Sequence, residues 1–192
     1  MTQRFGCILL AAVLLLTLAA CKTQYEEPTG PTEPTLPSVP LDQTPAQQLS
    51  AALHKTGAQD RYEVRYGTRN AAGENADTQS VSQSRPLDRD ELYAKAPELP
   101  DREDFLDQFC GRSLMVNPSN TGVIRYLLMG LSWEDARSLL YSGEREAPLE
   151  DAIWTVTLTV DGEGRFCEFE FTGQREGESW SAFLTITFPD SQ

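Results

Sequence analysis

From Ile153 to the C-terminus, apolar and polar positions alternate more sharply than anywhere else in the chain. In IWTVTLTV, Trp154, Val156, Leu158 and Val160 fall on one side, and Thr155, Thr157 and Thr159 on the other. DGEG at 161–164 supplies turn chemistry, and RFCEFEF then sets Cys167, Phe169 and Phe171 against Glu168 and Glu170. After a Gly/Glu-rich connection, WSAFLTITF groups Trp180, Ala182, Leu184, Ile186 and Phe188. Successive side chains of a strand point to opposite faces, so three such runs predict an antiparallel meander, apolar on one face only. Burying each large side chain contributes ~1.5–3 kcal/mol, so that face needs a cover.

The helices between 101 and 143 are its natural cover, and a helix and a hairpin precede them. Thr44-Pro45-Ala46-Gln47 places a hydroxyl at the N-cap, proline in the first turn and Gln at the third position, which is a capping box. Leu49, Ala52 and Leu53 make one apolar helix face, and Gly57 ends it. RYEVRYGT alternates again, with Tyr62, Val64 and Tyr66 on one side. A turn at Ala72-Gly73-Glu74 leads to a second strand through Gln79, Val81 and Gln83.

Residues 88 to 143 read as helical. Asp88 and Glu91 have capping spacing, and Asp101 is expected to cap a helix carrying Phe105, Leu106 and Phe109 up to Gly111. NPSNTG breaks the chain, and the density of VIRYLLMG fits helix or strand. Ser132-Trp133-Glu134-Asp135 opens a last helix, with Ala136, Leu139 and Leu140 on one side and Gly143 as its C′ stop. The predicted fold class is α+β: a C-terminal antiparallel β-meander covered on one face by central helices, with an N-terminal helix and hairpin.

The N-terminus changes the setting of that domain. A short start with Arg4 precedes an apolar run from Phe5 to Leu18, and small residues Ala19 and Ala20 precede Cys21. This is the layout of a secretory signal, whose apolar run is about 7–15 residues, whereas a membrane-crossing helix takes about 20. Leu18-Ala19-Ala20-Cys21 resembles the lipobox of bacterial lipoproteins. The resemblance implies cleavage before Cys21 and a diacylglyceryl group on its sulfur. Two acyl chains hold a protein stably at a membrane. The alternative is an ordinary signal peptide followed by an incidental cysteine.

Prolines then recur at Pro28, Pro31, Pro34, Pro37 and Pro40, followed by Pro45. A period of three matches polyproline II and stacks the rings along one edge of an extended spacer. At about 3.1 Å per residue, Lys22 to Gln43 reaches roughly 70 Å. A ligand for an SH3-like module is the other reading of such a segment. The expected organisation is a signal peptide at 1–20, a lipid-anchored proline-rich stalk at 21–43 and one extracytoplasmic domain at 44–192.

Charge narrows the partners. The chain has 16 Lys and Arg against 29 Asp and Glu, and losing Arg4 with the signal leaves 15 against 29, a net of −14. That balance disfavours nucleic acid and anionic lipid surfaces. Cys7 leaves with the signal and Cys21 takes the lipid, so Cys110 and Cys167 remain in the domain. A bond between them closes a loop valued at about 4 kcal/mol by chain entropy. Two buried thiols are the alternative, because cysteine packs well as a small hydrophobe.

No catalytic or metal-binding constellation emerges. His54, the single histidine, has polar neighbours and no organised partner. Glu168 and Glu170 share a strand face as an alternating polar face requires. Asp101, Glu103, Asp104 and Asp107 lack the spacing of a calcium loop. No glycine-rich loop leads from a strand to a helix with lysine, so no phosphate cradle or cofactor is implied.

The order of lipobox, helix, hairpin, central helices and meander, with its DGEGRF turn, resembles that of LolA-like and LppX-like envelope proteins. The resemblance implies a curved sheet holding apolar ligand beneath helices, without assigning binding residues. The candidate pocket or core face is Trp154, Val156, Leu158, Phe169, Phe171, Trp180, Leu184 and Ile186. The functional expectation is a non-catalytic lipoprotein, tethered to the bacterial cell membrane (or outer membrane) through Cys21, that binds an apolar small molecule, lipid or peptide. The alternative is an envelope or surface interaction domain with a filled core and no ligand.

Overall fold

Helix α1 (Pro45–Gly57) begins at the expected capping box: the Thr44 hydroxyl accepts from the Gln47 amide, and the Gln47 side chain accepts from the Thr44 amide. The computed structural model describes residues 42–69, 75–83 and 88–189, which lie in one unit spanning Leu36–Gln192. The signal, the lipobox with Cys21, the prolines from Pro28 to Pro40 and the turn at Ala72-Gly73-Glu74 lie outside the described residues.

Two strands follow α1, β1 (Tyr62–Arg69) and β2 (Asn75–Gln83), paired antiparallel as a hairpin. Helices α2 (Arg89–Lys95) and α3 (Phe105–Cys110) are short. Strands β3 (Met115–Pro118) and β4 (Ile124–Leu131) come next, then helix α4 (Trp133–Leu140). The chain ends in β5 (Ile153–Val160), β6 (Phe166–Arg175) and β7 (Glu178–Thr187). All seven strands form one antiparallel sheet in the order β2-β1-β7-β6-β5-β4-β3. The α+β architecture is therefore as the pattern predicts, and the early hairpin joins the meander through β1 and β7.

Three details differ. The stretch 88–143 is not helical throughout, because β3 and β4 form a hairpin inside it. A register shift between Leu128 and Leu131, with Gly130 at φ 75°, interrupts the alternation of β4 and hides the strand in the sequence. Asp101 does not cap α3. Its carboxylate accepts from the Ser142 amide at 2.7 Å and pairs with Arg145, tying the segment before α3 to the loop after α4. Gly143 is not a C′ stop either: α4 ends at Leu140, and Tyr141 already has extended backbone.

Strands β6 and β7 run longer than expected, since the Gly/Glu-rich connection is a two-residue turn. Glu176 and Gly177 both have positive φ between the paired Arg175 and Glu178, the conformation favoured in tight hairpins.

Helix α1 packs on β6 and α3, and α4 packs on β4, β5 and α3. One core results. At its α4 end Trp154 stacks on Phe171 with ring centres 4.6 Å apart, while Trp133 and Trp180 lie 5.1 and 6.0 Å from Trp154. Gly173 makes room for this cluster, because a Cβ there would lie 2.7 Å from the Trp154 ring.

Candidate functional site

Leu158, Phe169 and Leu184 are register partners on β5, β6 and β7, so they form one row across the apolar face. Phe166 and Ile186 extend that row into a floor. Above it, Leu49 and Leu53 come from α1, Leu92 and Tyr93 from α2, and Phe105 and Leu106 from α3, with Leu99 and Pro100 between the last two helices. Floor and roof enclose a cavity of about 190 Å³. The floor residues are buried, whereas Leu53, Gly57, Leu92, Tyr93 and Leu106 are half-buried. The mouth therefore lies between α1 and the two short helices.

The wall is almost wholly apolar. Thr56 lines it, but its hydroxyl lies 2.9 and 3.1 Å from the carbonyls of Ala52 and Phe166 and donates there. That arrangement ties α1 to β6 and leaves the hydroxyl hydrogen occupied. A buried polar group without a partner costs stability, so a wall of this kind selects hydrocarbon over polar groups.

The eight candidate residues divide between two environments. Leu158, Phe169, Leu184 and Ile186 form the cavity floor. Trp154, Val156, Phe171 and Trp180 do not line it; the three aromatic rings belong to the cluster with Trp133, and Trp154, Val156 and Phe171 are fully buried. Sequence reasoning gave the cover to the helices between 101 and 143, which carry Phe105 and Leu106, and missed the roof positions on α1 and α2 together with Leu99 and Pro100. The signal for Leu92 and Tyr93 was the Asp88 cap, whose carboxylate accepts from the amides of Asp90 and Glu91 and so starts α2.

Cys167 is half-buried against the margin of the core and does not hold the inward place expected of it. A register shift opposite Thr159 and Val160 pairs Thr159 with Glu168 and Val160 with Phe166, so Phe166 takes the inward place that strict alternation gives Cys167. The Cys167 thiol lies instead near the Thr159 carbonyl, within reach of the charges of Asp161 and Glu168. Cys110 ends α3 on the helix side, and both cysteines are free thiols in the structure. Burial, then the Asp161 and Glu168 charges, push Cys167 up to about 12; burial and Asp107 raise Cys110. Thiolate is the reactive form, so both are expected to resist iodoacetamide in the folded protein at pH 8 and to react promptly in urea. Mass spectrometry reads this as two added groups after unfolding without reductant; none would mean a Cys110–Cys167 bond.

The polar groups considered earlier are elsewhere. Glu170 pairs with Arg69 at 3.2 Å and Glu168 accepts from the Thr159 hydroxyl at 3.0 Å, both on the sheet face away from the helices. Burial, with the neighbouring Glu168 charge, raises Glu170 above the ordinary carboxylate range. His54 is exposed on α1. Glu103 and Asp107 are exposed, while Asp104 pairs with Arg102, which holds its carboxyl low. Among the described residues, no group of three or more His, Cys, Asp and Glu is placed to hold a metal, and no helix is long and apolar enough to cross a membrane.

In comparisons with known proteins, the chain matches no family model, no curated protein and no solved structure.

Proposed function

We propose that this chain is an extracytoplasmic lipoprotein, tethered through lipid on Cys21, whose folded unit is a non-catalytic binding module for an apolar molecule. The observation that carries the binding reading is the apolar cavity roofed by α1, α2 and α3 over Leu158, Phe169 and Leu184. Small-molecule sites are concave and mostly apolar, and this one has half-buried residues of α1, α2 and α3 at its rim.

The unit Leu36–Gln192 holds every strand of the sheet and the whole buried core, so it serves for binding work. Its amide NMR signals would be followed while a panel of benzene, naphthalene and 1-octanol is added. Saturable shifts centred on Leu158, Phe169 and Leu184 are expected with at least one compound. No compound moving those signals would refute the binding reading.

The tether has its own test. Cys21→Ala in the full chain is expected to release the protein from membranes or to block its processing, and to abolish labelling by radioactive fatty acid. Unchanged membrane retention and labelling would contradict it.

A second reading, a protein-interaction domain, draws on Met115, Met129 and Ile153. These large apolar side chains are 52, 52 and 63 % exposed on β3, β4 and β5, toward one edge of the sheet. Exposed apolar groups gathered in one region mark contact surfaces.

A further inference from the structure

We infer that β2 is a self-association edge, through which two copies of this chain pair antiparallel into one continuous sheet about a two-fold axis. The inference stands apart from the binding reading, because the cavity floor lies on β5, β6 and β7.

Among the described residues, β2 and β3 each have a strand on one side only. An edge strand turns alternate backbone amides and carbonyls outward, which makes it a template for another strand. Edges are usually guarded by short length, proline, lysine or bulges. Strand β3 is guarded, with four residues ending in Pro118. Strand β2 is open. It has nine residues, NADTQSVSQ, with no proline, lysine or arginine. From Asp77 to Gln83 it pairs residue for residue with β1, and the register shift lies at its Asn75 end. Two side-chain bonds hold the edge in place: the Tyr66 hydroxyl donates to Gln79 at 2.9 Å, and the Ser80 hydroxyl donates to Glu63 at 2.5 Å. Gln79 and Ser80 are both exposed.

The residues of the strand decide the occupant. Asn75, Thr78, Gln79, Ser80, Ser82 and Gln83 each carry both a donor and an acceptor, so each can bond to its own kind. A strand rich in lysine or arginine would find a single carboxylate, Asp77, to answer it. A second β2 fits better. Centred on Gln79 or Ser80, the middle of the strand, the pairing sets Asp77 of one copy opposite Val81 or Gln83 of the other. The two acids never meet, and like charges directly opposite are what would weaken the pair. In the same registers Thr78 meets Ser80 or Ser82, a hydroxyl pair that favours cross-strand contact.

Sedimentation equilibrium of the Leu36–Gln192 unit reads the association. The parent is expected to exchange between monomer and dimer with a dissociation constant in the micromolar range. In both registers the two copies of position 79 lie opposite or diagonal to each other, within reach of long side chains. Gln79→Lys is therefore expected to raise the dissociation constant at least about tenfold, with an unchanged circular dichroism spectrum, and Gln79→Glu to act alike. An equal mixture of the two variants is expected to dimerise again, because opposite charges then meet across the axis. Asn117→Lys, exposed on the other edge strand, is expected to leave the association as it was. A parent that stays monomeric up to millimolar concentration overturns the inference. So does an association that Gln79→Lys leaves intact, or a mixture of the two charged variants that stays monomeric.

Discussion

Trp154→Ala is expected to lower the stability of the folded unit by about 3–5 kcal/mol, the largest effect of any single core truncation here. The side chain is fully buried and packs between Phe171, Trp133 and Trp180, so truncation removes its own burial and strands three aromatic partners around a void. The void cannot close readily, because Gly173 contributes no side chain to fill it. Urea unfolding followed by circular dichroism measures the loss as a lower midpoint with an unchanged slope. Trp154→Phe is expected to cost less. The indole nitrogen is buried without a hydrogen-bond partner among the described residues, so its removal offsets part of the lost packing. A shift in the alanine variant below about 1 kcal/mol would mean that this end of the core is far looser than its ring distances imply.

Leu106→Trp is the complementary case, expected to cost binding rather than stability. Leu106 is half-buried at the mouth on α3, beside a cavity of about 190 Å³. An indole there can fold inward and occupy the space a ligand needs. The affinity for 1-octanol is expected to fall at least tenfold, while stability changes by no more than about 1 kcal/mol, since the added atoms enter a gap rather than a packed core. Leu53→Trp, from the α1 side of the same mouth, is expected to act alike. Stable variants that bind octanol as well as the parent would place the binding site elsewhere. Together with Trp154→Ala, these substitutions separate the filled half of the apolar face from the hollow half.

That division marks where the sequence stops being informative. Trp154 and Leu158 occupy equivalent positions in one alternating strand, and nothing in the letters says that Trp154 joins a packed cluster while Leu158 faces a gap. The difference depends on what lies above each: Trp133 of α4 covers the first, and two short helices with the edge of α1 roof the second. Local features with local causes were legible. The Thr44 capping box, the Asp88 and Ser132 starts and the three C-terminal strands are set by neighbours within a few residues.

Features arising from irregularity were not. One bulge hid β4 behind Gly130, and another gave Phe166 the inward place expected of Cys167. Asp101 looked like a helix cap because its spacing allowed it, yet the Ser142 amide, distant in sequence, had the better geometry. At Asp101 a tertiary contact replaced a local capping preference of about 1 kcal/mol.

The most direct test of the account is native mass spectrometry of the Leu36–Gln192 unit, exported by a bacterial host and purified gently without detergent. A fraction of molecules is expected to carry one small apolar molecule that is lost when the protein unfolds. Leu106→Trp, folded to the same extent, is expected to carry none. Protein that emerges empty, and stays empty after incubation with 1-octanol, would contradict the binding claim and turn attention to the exposed Met115, Met129 and Ile153 as a protein-contact surface.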